Sequence, residues 1–507
     1  MERIFASHSL AIKENTANKR IKVLASNPGV GKTQQFIEGI TADKRYVYAA
    51  PTRVLALEVM KRLDEVGHAY KPIFTGQTND VKSVIHQASE AMAALEDHVL
   101  IITHKCLASV KPELLRGWEL CIDEAPDMVD INTVTMPASE YDLVIAPFVG
   151  DCDVNGHLLI NDVRMAEAWE IHAQGMEDAK NNRTRNKTLL LVLDAMLTPT
   201  KNARAVTGKD SKGKNVVRVS VEGFTDFTRA FNYANSVTLM GANVEKSLVA
   251  THAMKRGFTL DIEKEHQPRA GLPFILPLVR DAEGAYVSKR MLLTMPDGSV
   301  ANEWNSECFG QKALERALAY IGDKKAIFAS FDWCRPDLPE NVERIPYDSR
   351  GLNKWRDVNV SIHIIHGNLS PDEYGPIMRI FEQMGVPHEE GKEAHRWARE
   401  EDLVVQHAHR TSLRDKDNSV DTIHIVTSLT QARRLRDALG GNRVLDLELM
   451  VDPPETKPTE GQKKRETERS DLAMQVKALK AKGMGQVMIA KFLGISQPKV
   501  SRLLKDG

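Results

Sequence analysis

The sequence has few features of a secreted or membrane-bound protein. Its five cysteines, among 507 residues, form no C-x-x-C pair, so neither a disulfide framework nor a structural zinc site is expected. No apolar run approaches the ~20 residues needed to cross a bilayer, and residues 1–15 lack the apolar core of a secretory signal. We therefore expect a soluble, cytoplasmic protein with no membrane partner.

The chain also lacks an excess of charge of either sign. Its 68 Lys and Arg residues nearly balance 69 Asp and Glu residues, giving a formal net charge of -1. Bulk composition therefore does not predict a polyanion-binding protein, and any nucleic-acid surface must be local. Residues 462–507 are the clear local exception, because eleven Lys and Arg residues there face only four acidic residues.

Short apolar runs between polar, helix-like segments are typical of buried parallel strands covered by helices. One series comprises residues 21–26, 46–50, 98–103 and 119–123, and a second comprises residues 325–330, 358–365 and 422–428. The prediction is an α/β protein with two parallel-sheet lobes and a small all-α domain. Its domains are a first lobe at 1–255 with an insertion at about 130–235, a second lobe at 256–450, a solvated linker at 451–469 and a helical module at 470–507.

The strongest chemical signal is the segment Ser26–Thr33, SNPGVGKT, between a predicted strand and a predicted helix. It matches the phosphate-loop pattern except that Ser26 replaces the leading glycine. In such loops backbone N–H groups face phosphate oxygens, the lysine reaches the β and γ phosphates, and the hydroxyl binds Mg²⁺. A chance G-x-G-K-T in a surface turn is the alternative. The predicted nucleotide contacts here are Asn27, Pro28, Gly29, Val30, Gly31, Lys32 and Thr33, with Thr33 also a metal ligand.

A second signal is the adjacent carboxylate pair that ends an apolar strand, Asp123 and Glu124. Asp123 can hold the metal and Glu124 can polarise the attacking water. Acid pairs are usually solvated, so this interpretation depends on the phosphate loop about ninety residues earlier.

Together these motifs resemble those of superfamily 2 helicases, closest in style to the DEAH and flavivirus-type members. Residues 50–56, APTRVLA, resemble motif Ia, and Thr103-His104 occupies the place of motif Ib. Asp123-Glu124-Ala125-Pro126 stands in for D-E-A-D or D-E-A-H, with proline in the fourth position. The resemblance implies RecA-like lobes, ATP with Mg²⁺ as cofactors, and single-stranded DNA or RNA bound through Pro51, Thr52, Arg53, Thr103 and His104. For Thr52, a helix N-cap is the structural alternative.

The second half of the chain resembles the remaining motifs of that family. Residues 349–353, SRGLN, resemble motif V and imply a nucleotide contact at Gly351. Residues 406–414, QHAHRTSLR, resemble motif VI, with histidine for glycine and the last arginine one residue late. Motif III has two candidates, residues 237–243 and the rival residues 194–198. The resemblance implies catalytic roles for Lys32, Glu124, Gln406, Arg410 and Arg414, with the two arginines as finger candidates.

The C-terminal residues resemble the helix-turn-helix of recombinases and phage repressors. Apolar residues at 489, 490, 493, 495, 500 and 503 have the spacing of such a core, and Gly494 suits its turn. A basic helical tail used for protein contact is the alternative. The expected contacts with duplex DNA are Gln497, Lys499, Ser501 and Arg502.

The predicted function is an ATP-dependent DNA helicase or translocase tethered by this module. The alternatives are an RNA helicase and a DNA-binding regulator that uses the lobes as a nucleotide switch. The oligomeric state is left open.

Overall fold

The computed structural model describes residues 20–77, 83–154, 156–180, 186–198, 200–210, 213–264, 271–281, 287–347, 349, 354–415, 419–440, 443–457, 460–493 and 497–505. The chain divides into two compact units. One comprises Met1–Ser288 and Ala313–Asp452, and the other Lys289–Lys312 and Pro453–Gly507. Both α/β lobes belong to the first unit.

The first half of the chain contains twelve described strands. They are β1 (Arg20–Leu24), β2 (Tyr46–Ala50), β3 (Lys71–Pro72), β4 (Val99–Thr103), β5 (Glu119–Asp123), β6 (Val129–Pro137), β7 (Val149–Cys152), β8 (Leu158–Ile160), β9 (Lys201–Lys209), β10 (Asn215–Phe224), β11 (Ser236–Met240) and β12 (Thr259–Glu263). Its α-helices are α1 (Lys32–Glu38), α2 (Arg53–Val66), α3 (Val84–Ala94), α4 (His104–Ser109), α5 (Ala138–Val144), α6 (Met165–Lys180), α7 (Lys187–Leu197), α8 (Thr228–Tyr233) and α9 (Leu248–Lys255).

The first lobe is built on a seven-stranded parallel sheet in the order β12-β1-β11-β5-β2-β4-β3. Four of its five inner strands, β1, β2, β4 and β5, are the predicted apolar runs, and every residue of β2 is buried. Strands covered on both faces need such continuous apolar sequence. Because all seven strands are parallel, the loops after β1, β2, β4 and β5 emerge at one edge of the sheet.

The insertion is a separate antiparallel layer. Strands β6, β10 and β9 form a three-stranded sheet in that order, with a β7-β8 hairpin and helices α5 to α7 beside it. Alternate residues of β10, Val217, Val219 and Val221, point into a core of their own with Met136 and Val192. This period-two pattern is the signature of a sheet with one covered face.

The predicted boundary at 255/256 is wrong. Strand β12, Thr259–Glu263, pairs in parallel with β1 from Arg20 to Leu24, so the first sheet continues past that boundary. Strand β12 lies at the edge of the sheet and is largely exposed, with Leu260 its one half-buried residue.

The second lobe is a six-stranded parallel sheet in the order β15-β14-β16-β17-β13-β18. Its strands are β13 (Pro273–Val279), β14 (Ala326–Ser330), β15 (Val342–Arg344), β16 (Val360–Ile364), β17 (Thr422–Ser428) and β18 (Val444–Leu445). The helices along this part of the chain are α10 (Lys289–Leu292), α11 (Phe309–Ile321), α12 (Pro371–Met384), α13 (His388–Arg396), α14 (Asp402–Ala408) and α15 (Leu429–Leu439), with a π-helical turn at Trp397–Glu401. The unit boundary falls within α11, and α10 belongs to the other unit.

Helices α12 and α13 share a hydrophobic core with the first lobe. Ile377, Ile380 and Phe381 are fully buried in the same cluster as Ile21 and Leu120 of the first sheet. An ion pair reinforces this contact, since Arg379 on α12 donates to both oxygens of Glu222 on β10, at 2.6 and 2.5 Å. The predicted second lobe, 256–450, therefore supplies a helix pair to the core of the first.

The other unit contains the three C-terminal helices α16 (Glu460–Ala481), α17 (Gln486–Leu493) and α18 (Gln497–Lys505). The predicted linker, 451–469, is wrong from Glu460 onward, where α16 begins. Its Glu, Gln, Lys and Arg residues are strong helix formers, and a helix already nucleated by packing extends through them at little cost. The core holds Val476, Ile489, Ala490, Val500 and Leu503, with Leu493 partly buried against it. Residues 494–496 lie outside the described part of the chain.

The described residues contain neither a disulfide nor a helix that could span a membrane. None of the five cysteines, all of which the structure describes, belongs to a disulfide, and Cys152 is the one among them that is exposed. Within the described residues, none of the helices combines the length and apolar character that a bilayer crossing requires.

Candidate nucleotide-binding cleft

One cavity of about 320 Å³ brings the predicted motifs of both lobes together. The first lobe contributes Gly29, Lys32 and Glu124, and the second contributes Gln406 and Arg410. Residues almost 400 positions apart in sequence therefore line the same cleft. The predicted site residues that line this cavity are Pro28, Gly29, Gly31, Lys32, Thr33, Asp123, Glu124, Gln406, Arg410 and Arg414.

The phosphate loop has the backbone conformation that its glycines permit. Gly29 and Gly31 have φ of 87° and 96°, in the left-handed region that other residues rarely adopt. The turn brings Thr33 into the first turn of α1, which Gly31 precedes as N-cap. Lys32 Nζ donates to the carbonyls of Ser26 and Asn27, at 2.6 and 3.0 Å. Burial lowers the pKa of Lys32, while Glu124 and Asp123 act to raise it.

The two carboxylates at the end of β5 differ in environment. Asp123 is 4% exposed, and burial followed by repulsion from Glu124 raises its pKa to about 7. The Tyr48 hydroxyl donates to Asp123 Oδ2 and acts in the opposite direction, as does Lys32. Glu124 has φ of 62°, and its N–H donates to the Met240 carbonyl at 2.7 Å. That contact fixes the strained residue beside β11.

The second lobe reaches this cleft through α14 and the turn after it. Gln406 Nε2 lies 3.1 Å from each oxygen of Glu124, and the Arg410 guanidinium donates to Gln406 Oε1 at 3.4 Å. Arg414 lies against the phosphate loop, because a Cβ added to Gly29 would come within 3.0 Å of Arg414 Cγ. Asn27 Nδ2 donates to the carbonyl of Ala438 at 2.9 Å. Both finger candidates therefore line the cleft.

The structure adds residues that the motif analysis missed. Arg356, Glu58, Arg62 and Asp415 also line the cavity. Arg356 follows the predicted motif V segment, and its positive charge contributes, after burial, to a lowered pKa of Arg414. A charged residue in a loop has no periodic signal, so sequence reasoning could not place it. Tyr48 could have been noticed as a polar group inside a fully apolar strand.

The residues present fit a magnesium-bound triphosphate. Two neighbouring carboxylates that repel each other in a buried site, with a hydroxyl and a lysine beside them, form a donor set suited to a hard divalent cation and its phosphate ligands. In the described part of the chain there is no cluster of three His, Cys, Asp or Glu side chains that could hold a metal by itself. Asp123 and Thr33 would thus hold a cation that the nucleotide also binds.

The candidate nucleic-acid residues of the first lobe lie side by side after the neighbouring strands β2 and β4. Thr52 and Thr103 cap the following helices, accepting from the N–H groups of Leu55 and Cys106 at 3.2 and 3.3 Å. The capping alternative for Thr52 is thus correct in this structure, and a strand contact through the same residue stays a prediction.

The neighbours of these two threonines differ in exposure. Pro51 is half-buried, whereas Arg53 is exposed and donates to the Thr75 carbonyl at 3.5 Å. His104 Nε2 donates to the Asp123 carbonyl at 3.0 Å, which joins the motif Ib position to the acidic pair. His104 is therefore a link between the predicted strand-binding edge and the cleft.

The two candidates for motif III lie in different places. Residues 237–240 form most of β11, between β1 and β5, and Met240 pairs with Asp123. Residues 194–198 end helix α7 in the insertion, where Asp194 accepts from Lys201 Nζ at 2.7 Å. The strand candidate therefore adjoins both nucleotide motifs. In the motif V segment Ser349 is buried, while Gly351 lies outside the described residues.

The four candidate DNA contacts of the C-terminal unit all belong to α18. Gln497 is exposed, and its amide donates to Gln486 Oε1 at 3.4 Å. Ser501 is half-buried. The side chains of Lys499 and Arg502 lie outside the described part of the structure, so the recognition surface stays a prediction.

No family model matches this chain, and no curated protein does either. Among solved structures, Xpd4 of S. tokodaii is 12% identical, with 85% of this chain and 95% of that chain aligned and a TM-score of 0.47. Dbp5 of S. cerevisiae bound to RNA and ADP BeF3 is 10% identical over 88% of each chain, with a TM-score of 0.35. Mss116p bound to ssRNA and AMP-PNP is 13% identical over 96% and 82%, with a TM-score of 0.31. All three TM-scores are below 0.5.

Proposed function

We propose that the protein is a nucleoside triphosphatase that couples hydrolysis, of ATP by preference, to movement along nucleic acid, as a helicase or translocase. One observation supports this above all: the cavity that holds Lys32, Asp123 and Glu124 of the first lobe also holds Gln406, Arg410 and Arg414 of the second. A nucleotide bound there would touch both lobes. Its hydrolysis would change the contacts between them.

Each residue has a role that its surroundings support. Lys32 would leave its loop carbonyls for the β and γ phosphates, and Glu124 would orient the attacking water. Gln406 holds the Glu124 carboxylate from the opposite lobe. Arg410 or Arg414 would neutralise charge on the transferring phosphoryl group, a contribution of about 10³ to 10⁵ in rate in related chemistry. When bound, Mg²⁺ would supply charge neutralisation beside Thr33 and Asp123.

The strand would lie across the edge formed by the ends of β2 and β4. Thr52, Thr103 and the exposed Arg53 could contact its phosphates, which positions a strand without reading its sequence. The His104 contact to Asp123 offers a short route from this edge to the nucleotide.

The C-terminal unit would bind duplex DNA through α18 and so tether the motor at particular sites. A tether raises the local concentration of the second binding partner without any new contact at the motor. This favours DNA over RNA as the substrate. Changing Lys499 and Arg502 to glutamate should weaken duplex binding by the full-length chain while leaving nucleotide binding unchanged.

The test is a strand-displacement assay with DNA and RNA duplexes that carry a single-stranded 5′ or 3′ tail. Nucleoside triphosphatase activity is measured on the same substrates. Wild-type protein should unwind one class of duplex, and Lys32→Ala should lose both activities. Hydrolysis without displacement or movement on any substrate would favour the regulator. A Lys32→Ala variant that keeps full nucleic-acid-stimulated hydrolysis would contradict the proposed motor function.

A further inference from the structure

Tyr48, a buried tyrosine in the middle of β2, contacts Asp123 of the acidic pair. Tyr48 is 0% exposed, and its hydroxyl donates to Asp123 Oδ2. The phenol oxygen thus contacts the carboxylate to which we assign the metal. None of the recognised motifs includes this residue.

The sheet register explains how Tyr48 reaches Asp123. Tyr48 pairs with Cys121, two residues before Asp123, so the alternation of side chains places Tyr48, Cys121 and Asp123 on one face. Helix α1 packs over that face through Ile37, which belongs to the same core cluster as Tyr48. The Phe36 ring lies 5.1 Å from the Tyr48 ring. The aromatic ring is therefore fixed on several sides.

Holding a carboxylate in one orientation matters for Mg²⁺ more than for most cations. Mg²⁺ requires nearly ideal octahedral geometry, so its ligands must be in place before it binds. Groups that hydrogen-bond to metal ligands set that orientation, and losing one typically costs about 10–100-fold in metal affinity. Asp123 has two oxygens, and Tyr48 occupies one of them.

We propose that Tyr48 is a positioning residue for the divalent cation, holding Asp123 in the orientation that a magnesium-bound triphosphate requires. This proposal rests on the proposed nucleotide site. The Tyr48 hydroxyl, and not the aromatic ring, sets the affinity and the selectivity of the site for the cation.

Tyr46 provides a matched control on the same strand. It lies two residues earlier on the same face, is 8% exposed, and also packs against Phe36, at 5.9 Å. Its hydroxyl donates to the Gly39 carbonyl at 3.4 Å and lies near Thr41 rather than the acidic pair. Changing either tyrosine to phenylalanine removes one buried hydroxyl and keeps the ring.

The experiment measures binding of a fluorescent, non-hydrolysable ATP analogue to the full chain during titration with Mg²⁺ or Mn²⁺. For Tyr48→Phe we expect the Mg²⁺ concentration at half-saturation to rise about 10–100-fold. The shift should be smaller with Mn²⁺, since a site with a loosened ligand disfavours the geometrically stricter ion. Tyr46→Phe should resemble wild type with both ions, and binding in EDTA should be equal in all three proteins.

A mutant cycle separates positioning from a loss of stability. If Tyr48 acts through Asp123, Tyr48→Phe should add no further loss in an Asp123→Asn background. Titrations at low temperature, with melting curves for each variant, keep the comparison valid for a weakened fold. Equal Mg²⁺ half-saturation in the Tyr48→Phe and Tyr46→Phe proteins overturns the proposal, as do additive losses in the cycle. Wild-type protein that binds no nucleotide with either ion overturns the proposed function as well.

Discussion

Gln406 on α14 donates from its amide to both carboxylate oxygens of Glu124, at 3.1 Å each, although 282 residues separate the two in sequence. This contact connects the acidic pair of the first lobe directly to the helix that leads to the arginines of the second. The orientation of Glu124, and with it the water that Glu124 would polarise, therefore depends on where the second lobe stands.

The first prediction concerns this amide. Gln406→Ala should lower the triphosphatase rate by about 10²-fold or more, because an unheld Glu124 no longer orients the water. Nucleotide affinity should change little, which a fluorescent analogue can measure. Gln406→Glu should be at least as damaging, since it places a third carboxylate beside Asp123 and Glu124. A Gln406→Glu enzyme with wild-type turnover would contradict this role.

The arginines of the cleft give a second prediction. Replacing Arg410 or Arg414 by alanine should reduce turnover by about 10³-fold for whichever acts as the finger. The other should mainly weaken nucleotide binding. The matched control is Arg433→Ala, on the exposed side of α15 in the same lobe. Single-turnover rates and nucleotide affinities for the three variants separate the two roles. Unchanged rates in both the Arg410→Ala and Arg414→Ala proteins would show that neither residue is the arginine finger.

Acid should destabilise the second lobe through His363, which is fully buried in β16. Its ring lies 5.5 Å from that of His407, and burial, then His407 and His424, lowers its pKa well below 6.5. A histidine kept neutral by the fold becomes protonated near pH 6.5 when the chain unfolds. Its contribution to stability is therefore complete above that pH and is lost as the pH falls below it.

His363→Leu should accordingly reduce the loss of stability between pH 7.5 and 5, measured by urea unfolding at each pH. Replacement of His388, whose side chain is 42% exposed and lies 3.0 Å from Glu382, by leucine is the control and should leave most of the loss as in wild type. An unchanged pH dependence in His363→Leu would show that acid acts elsewhere in the chain.

The last prediction concerns Arg379 and Glu222. Glu222 is 0% exposed, and its side chain also lies 3.3 Å from His157 Nε2. Arg379→Ala leaves a buried carboxylate without its main partner, which should cost about 3–5 kcal/mol in unfolding free energy. The double variant Arg379→Met and Glu222→Met should recover most of that loss, since apolar pairs often replace buried ion pairs at no cost. Denaturant unfolding of the three proteins tests this, and a stable Arg379→Ala chain would contradict it.

The elements that sequence predicted best carry their reason within a few residues. Strand β2 and the segment Ser26–Thr33 are defined by local composition, and the core residues of the C-terminal helices by spacing. The order of the motifs along the chain also predicts that Gln406 and Arg410 face the phosphate loop, and both line the same cavity as Lys32.

What sequence missed depends on partners distant in the chain. Strand β12 is a strand because β1 offers its edge, and α16 starts at Glu460 because packing further along the helix supports a charged segment. Arg356 has no motif, and the importance of Tyr48 follows from a hydroxyl contact 75 residues away. A segment of ten or twenty residues does not contain the information needed to predict any of these contacts.

The helix pair α12–α13 also affects how the chain can fold during synthesis. Phe381 and its neighbours complete a core whose other members were made more than a hundred residues earlier, so a nascent chain ending before Pro371 exposes that apolar surface. A ribosome must therefore extend the chain as far as Ala394 before the core of the first lobe is fully enclosed. Until then the emerging segment is a natural client for chaperones, and fragments cut between the lobes should aggregate.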